Sequence, residues 1–366
     1  MKNALKLCLA LAMTGAMTAQ AFAAETTFTT SGNAWGGLKQ TTAAASTTAA
    51  GYKYGDTVTT MDMQSAALVG INATTKTGEW TASAQLDILY ENTDAEGWKA
   101  DGYAFSVSND DVTVSIEDGD LDNVDQGATY ENWIDDTREV GDNLDKGHTK
   151  LKVALPKAGV TVMYAQNRMT DTDSTATTKP TWSQTDMGLR YDGAAAGLTY
   201  AAMYEAYSQS VEKDAGDVEK SKYDGGTGSD MGFGVGYKMD NMGFNFAYGI
   251  TAETPGDVVV GTAKTEGKET KTTGFAASFD YTISEGSGIT IILGSYEKTF
   301  DGEKDAALTD TYVGYVMPLA GAILHVAYFS HTEDKEVYKI DGTEYNTGKD
   351  DALTTGGVGA RLKYEF

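Results

Sequence analysis

Through the middle of the chain, apolar and polar residues alternate with a period of two. Tyr103, Phe105 and Val107 share one parity, with Ala104, Ser106 and Ser108 on the other; Val112, Val114 and Ile116 likewise oppose Thr113, Ser115 and Glu117. Met187, Leu189 and Tyr191 oppose Asp186, Gly188 and Arg190, and Phe275, Phe279 and Tyr281 oppose Ser278 and Asp280. The last ten residues repeat the pattern, with Ala360, Leu362, Tyr364 and Phe366 against Gly359, Arg361, Lys363 and Glu365. Period two is the signature of a strand lying between an apolar and an aqueous medium. Sixteen such strands are predicted: 26–38, 64–75, 79–91, 101–109, 111–118, 148–156, 159–168, 184–192, 197–208, 230–239, 242–251, 272–283, 288–299, 308–317, 322–331 and 353–366. The first strand alternates less cleanly, which predicts a bulge near Trp35.

The connections add a second periodicity. Tight turns are expected at 75–79, 109–111, 156–159, 193–197, 239–242, 284–288 and 318–321. Between them fall the long connections 39–63, 92–100, 119–147, 169–183, 209–229, 252–271, 300–307 and 332–352. Strict short–long alternation, with strands of about 9–11 residues, is the pattern of a transmembrane β-barrel. All four prolines fall at turns or in long connections, as a sheet without free edges requires. Trp80, Tyr90, Tyr191, Tyr248 and Phe300 stand at the ends of apolar faces, where aromatic girdles meet a membrane interface.

The N-terminus carries a different pattern. Lys2 and Lys6 precede a short apolar run, and Ala21-Phe22-Ala23 forms an A-x-A site, so 1–23 reads as a cleaved secretory signal and 24–366 as one barrel domain. The single cysteine, Cys8, lies in that leader, so the expected mature chain has no disulfide. The formal net charge is −25, which repels nucleic acid and favours cations as partners.

With these features the chain resembles the Gram-negative general porins, the sixteen-stranded trimeric channels of the outer membrane. "LKYEF" is similar to the C-terminal signal read by the barrel assembly machinery, with Leu362, Tyr364 and Phe366 in the hydrophobic positions. "DVTVSIEDGDLDNVD" resembles a fifth strand running into a long third loop. The resemblance implies an all-β antiparallel barrel with short periplasmic turns, long external loops and a third loop folded into the lumen. It further implies a homotrimer in contact with outer-membrane lipid and lipopolysaccharide.

Charge gives this expectation its chemistry. The third connection holds Asp120, Asp122, Asp125, Glu131, Asp135, Asp136 and Glu139, together with Asp142 and Asp145, against Arg138 and Lys146. Carboxylates lining a narrow aqueous pore concentrate cations and exclude anions. Away from the apolar parity stand Asp87, Asp186, Glu205, Asp280 and Glu365, with Lys150, Lys152, Arg190, Lys238, Arg361 and Lys363. Of these, Lys150, Lys152, Arg190 and Arg361 are the candidate basic wall. No arginine occurs in the second to fifth strands, so the transverse field implied by the family is expected to be weaker here.

The expected function is therefore passive diffusion of small hydrophilic solutes and ions, with cation preference. The alternative is a sugar- or nutrient-selective porin, for which Trp133 is the candidate lumen aromatic. Asp118, Asp120 and Asp122 alternate as at the start of a calcium loop, but Asn123 and Thr129 occupy the positions an EF-hand gives to Gly and Glu. No cofactor is required; a looser oxygen cage for Ca²⁺ is the metal alternative. The acidic stretch 332–352 would bridge to lipopolysaccharide through divalent ions, or stand as a hydrated loop. Catalysis is not expected: His148, His325 and His331 bring no nucleophile or partner motif. An enzyme barrel and a structural surface protein are the minor alternatives.

Overall fold

The computed structural model describes residues 25–43, 46–47, 53–54, 58–91, 97–118, 149–170, 181–212, 226–256, 258–260, 263–265, 267–335, 337–340, 343–346 and 352–365. The expected leader, 1–23, and the third connection, 119–147, lie outside them. Sixteen antiparallel strands close into one barrel. The first eight are β1 (Glu25–Ala43), β2 (Val58–Thr77), β3 (Trp80–Glu91), β4 (Gly97–Ser108), β5 (Thr113–Asp118), β6 (Thr149–Leu155), β7 (Val160–Thr170) and β8 (Thr181–Ala195). The second eight are β9 (Leu198–Glu212), β10 (Thr227–Met239), β11 (Met242–Thr254), β12 (Thr270–Ser284), β13 (Ser287–Phe300), β14 (Glu303–Leu319), β15 (Ala322–Lys335) and β16 (Ala352–Glu365). Each strand pairs with its sequence neighbours, and β16 closes on β1 with Arg361 opposite Gly37. Closure leaves no sheet edge, so the ladder satisfies the spanning backbone internally.

The parity read from the sequence divides the two faces. Met187, Leu189, Tyr204, Phe233, Phe246, Val326 and Leu362 are exposed, while Asp186, Glu205, Asp230, Asp280 and Arg361 are buried. An exposed apolar belt around a closed sheet is the lipid face, and the polar parity lines the interior. Trp80, Tyr191 and Tyr248 are exposed on the outside, whereas Phe300, exposed at the end of β13, has the inward parity of Tyr296. Phe300 also lies under the Lys268 ammonium, 5.8 Å from the ring centroid.

All seven expected tight turns form, at one end of the barrel. At the other end the expected alternation breaks once. The connection 300–307 is a two-residue turn, Asp301-Gly302, joining β13 to β14. Both residues have positive φ, 54° and 81°, the backbone that a type I′ hairpin demands and Asp-Gly supplies. Ladder pairing also carries strands beyond their apolar cores: β2 begins at Val58 rather than 64, and β15 reaches Lys335 rather than 331. Within the connections, short hairpins pair Ser46–Thr47 with Lys53–Tyr54, Val258–Val260 with Ala263–Thr265, and Val337–Ile340 with Thr343–Asn346. The stretches 39–63, 252–271 and 332–352 thus contain pairing that alternation did not signal.

The predicted bulge near Trp35 is absent. There β1 pairs without interruption with both β2 and β16. Register shifts fall instead at Asp87/Ile88, Thr282/Ser284 and Lys298/Thr299. Small residues on either side of Trp35 (Ala34, Gly36, Gly37) lower its periodicity without adding a residue to the ladder.

Candidate functional site: the inner wall

Lys150, Lys152, Arg190 and Arg361 all stand on the inner face, as the parity required. Lys150 on β6 is 1% exposed and donates a hydrogen bond to Glu205 on β9 at 3.3 Å, spanning the intervening strands. Lys152 pairs with Glu117 across β5–β6 at 2.6 Å. Arg190 clasps Asp192 on its own strand, Nε and Nη2 each at 2.8 Å from a carboxylate oxygen. Such bidentate pairs fix the guanidinium plane. Arg361 is fully buried, directly opposite His325 on β15 and Gly37 on β1.

The acids of the wall gather on β8 to β10. Asp186, Glu205 and Asp230 are at most 3% exposed. Asp186 lies opposite Ala165 and Tyr207, and Glu205 lies opposite Gly188 and Asp230. Gln184 donates to Asp186 Oδ1 at 2.7 Å, and Gln209 donates to Gln184 at 2.9 Å. Thr251 on β11 donates to Asp230 at 3.3 Å. Farther along, Thr290 on β13 donates to Asp280 at 2.6 Å, and His331 on β15 bonds Asp310 on β14. In the sixteen-strand ring β9 and β1 are eight strands apart in either direction. The acidic arc is therefore set across the lumen from Lys39, Arg361 and Lys363. β2 to β5 carry no arginine, and the basic side chains across from this arc stand on β16 and β1.

Several wall residues escaped the sequence reading. Asp230 sits where the predicted strand had only begun, and Asp310 alternates with Leu308, Tyr312 and Val316, which disguise the inner parity as apolar. Tyr207, Tyr296, Tyr312 and Phe329 also face inward. Tyr207 lies over its cross-strand partner Gly228, where an added Cβ would sit 2.2 Å from the ring; Tyr296 covers Gly274 in the same way. Glycine opposite an inward aromatic lets the ring lie flat on the sheet. Lys39 caps Phe329, its ammonium 4.9 Å from the ring centroid. Clusters of inner apolar residues result, one joining Ala201, Met203, Ala247, Tyr296, Ala306 and Leu308.

The remaining sequence candidates are placed as follows. Asp120, Asp122, Asp125, Glu131, Asp135, Asp136 and Glu139 lie outside the described residues, as do Trp133 and His148. Asp118 ends β5, paired with Thr149 in the ladder. Among the described residues no group of three acidic, histidine or cysteine side chains is arranged to hold a metal. Leu362 and Tyr364 are exposed on the outer face, and Phe366 lies outside the described residues. His325 points inward mid-strand and is 6% exposed.

No family model and no curated protein matches the chain. Solved structures do. The outer membrane channel DcaP of Acinetobacter baumannii is similar with a TM-score of 0.61 at 12% identity, over 93% of this chain and 97% of that one. This chain has the porin fold. The trimer form of the outer membrane protein OmpT of Vibrio cholerae matches with a TM-score of 0.57 at 12% identity, over 93% and 99% of the two chains. An anion-selective porin from Comamonas acidovorans matches with a TM-score of 0.56 at 13% identity, over 93% and 100%. At these identities the likeness is one of fold.

Proposed function

We propose that the protein is an outer-membrane porin, a passive diffusion channel for small hydrophilic solutes and ions with preference for cations. The observation that carries the reading is the closed sixteen-strand barrel with an apolar exterior and an inner wall of ionised and hydrogen-bonding side chains. Sixteen strands enclose more space than side chains fill, and a polar interior of this size conducts water and solutes. A similar barrel in Comamonas is described as anion-selective, so selectivity must come from the wall rather than the fold. Here Asp186, Glu205 and Asp230 form an acidic arc, in a chain of formal net charge −25. The acids of 119–147 would add to it if they enter the lumen.

The likeness to a trimeric structure supports a homotrimer. Export by the 1–23 leader, assembly through Leu362, Tyr364 and Phe366, and lipopolysaccharide contact at the long-connection end complete the reading. The role is transport, with no catalytic step. Inward aromatics do not favour the sugar-selective alternative, because Tyr207 and Tyr296 lie against glycines rather than standing out as stacking platforms. The purified, heat-modifiable protein should produce stepwise conductance in planar bilayers and let small sugars swell proteoliposomes. Folded protein that inserts but passes neither ions nor sugars would overturn the channel reading.

A further inference from the structure

The inner wall has a closed side and an open side. On β8 to β14, Gln184, Asp186, Met203, Ala247, Thr290 and Tyr312 are at most 4% exposed. On β1 to β3 the inward parity is polar and reachable: Thr29, Ser31 and Gln85 are exposed, and Asn72 and Asp87 are half-buried. A solute crossing the barrel therefore runs along β1 to β4, past residues other than the acidic arc.

Asp87 stands mid-strand in this open stretch. It lies opposite Gly70 on β2 and Gly102 on β4, so its carboxylate has a glycine on either side. A Cβ added at Gly70 would sit 2.9 Å from Asp87 Oδ1 and 3.2 Å from the Ser31 hydroxyl, which puts both oxygens over that glycine. A Cβ added at Gly102 would meet nothing within 4 Å. Gln85 donates to Asp87 Oδ2 at 2.7 Å and holds the group in place. The register shift at Asp87/Ile88 falls at the same point, and a bulge re-aims the side chain beside it. Glu117, Asp192 and Glu365 each lie against a lysine or arginine, whereas among the described residues Asp87 forms no ion pair. A reachable carboxylate that no fixed cation neutralises draws mobile ones.

We infer that Asp87 is the residue that sets cation preference on the open path, drawing hydrated monovalent cations to β3 as they pass. This rests on the channel reading and adds to it a specificity-determining residue and the side of the lumen along which ions travel. Asp186, shut off from the lumen, contributes only through the wider field.

The test is the K⁺ to Cl⁻ permeability ratio in planar bilayers at about 0.1 M KCl, where the Debye length is about 10 Å. One unit charge 4 Å away in bulk dielectric weights cation occupancy about fivefold, so Asp87→Asn should lower the ratio by about that factor with the open steps preserved. Asp87→Cys is the second variant, and it places a thiol in a mature chain expected to have none, because Cys8 lies in the leader. It should show the same loss, be restored by a methanethiosulfonate bearing a sulfonate, and be driven towards chloride by one bearing a trimethylammonium. Asp186→Cys, on the closed side, should react with neither. An unchanged ratio in Asp87→Asn would overturn the inference while the open steps leave the porin reading intact. So would an Asp87→Cys thiol that stays unreactive, two adducts with the same ratio, or an Asp186→Cys thiol that reacts as fast. Native protein that carries no current would remove the channel reading, and the inference with it.

Discussion

Replacing Lys150 by Met tests the inner wall where its electrostatics are most concentrated. The ammonium and Glu205 lie 3.3 Å apart with side chains 1% and 4% exposed. At an effective dielectric of 20 their gross attraction is about 5 kcal/mol, most of it offset by the desolvation of both ions. Met fills the space of the alkyl stem but leaves Glu205 beside Asp230 with one cation fewer. Breaking a buried pair from one side typically costs about 3–5 kcal/mol, and Lys150→Met is expected in that range. Lys150→Met/Glu205→Gln removes both charges and should lie within about 1–2 kcal/mol of the native protein, a coupling of about 2–3 kcal/mol. Reversible urea unfolding of the vesicle-inserted barrel, followed by tryptophan fluorescence and by heat-modifiable gel migration, gives each value. A single variant costing under about 1 kcal/mol, or a double variant no better than the single, would refute the buried ion pair.

Three further outcomes follow from the same geometry. Leu189 is 52% exposed on the outer face, so Leu189→Arg should cost about 2–4 kcal/mol if it lies near the bilayer midplane; the same unfolding assay checks this, and a negligible cost would place Leu189 away from lipid. Gly228→Ala forces a Cβ to within 2.2 Å of the Tyr207 ring and displaces a hydroxyl that donates to Glu253 at 3.3 Å. It should cost about 1–3 kcal/mol, largely restored by adding Tyr207→Ala. Gly302→Val places a β-branched residue at φ 81° and should destabilise the β13–β14 hairpin by about 1–3 kcal/mol, seen as a lowered midpoint of heat modification.

The sequence carried most of this fold because a membrane barrel writes its two solvents into alternate residues. Leu189 against Arg190, and Leu362 against Arg361, were assigned to the correct faces by parity alone. Where inner residues are themselves apolar, as at Leu308, Tyr312, Val316 and Phe329, parity loses contrast. The wall acids Asp310 and Asp230 were missed for that reason and for a strand boundary set too late. The Asp301-Gly302 turn was read as part of a long connection because polar residues after it resemble loop, although they pair in β14 up to Glu303. Nothing local joins Lys150 to Glu205, 55 positions apart in the chain. That contact depends on registers across four strands, which composition and spacing do not encode.

Cation preference is the claim on which the wall chemistry stands, and the reversal potential under a KCl gradient measures it most directly. With the native protein in a planar bilayer, a potential displaced towards the K⁺ equilibrium value is expected. Displacement towards the Cl⁻ value would contradict it.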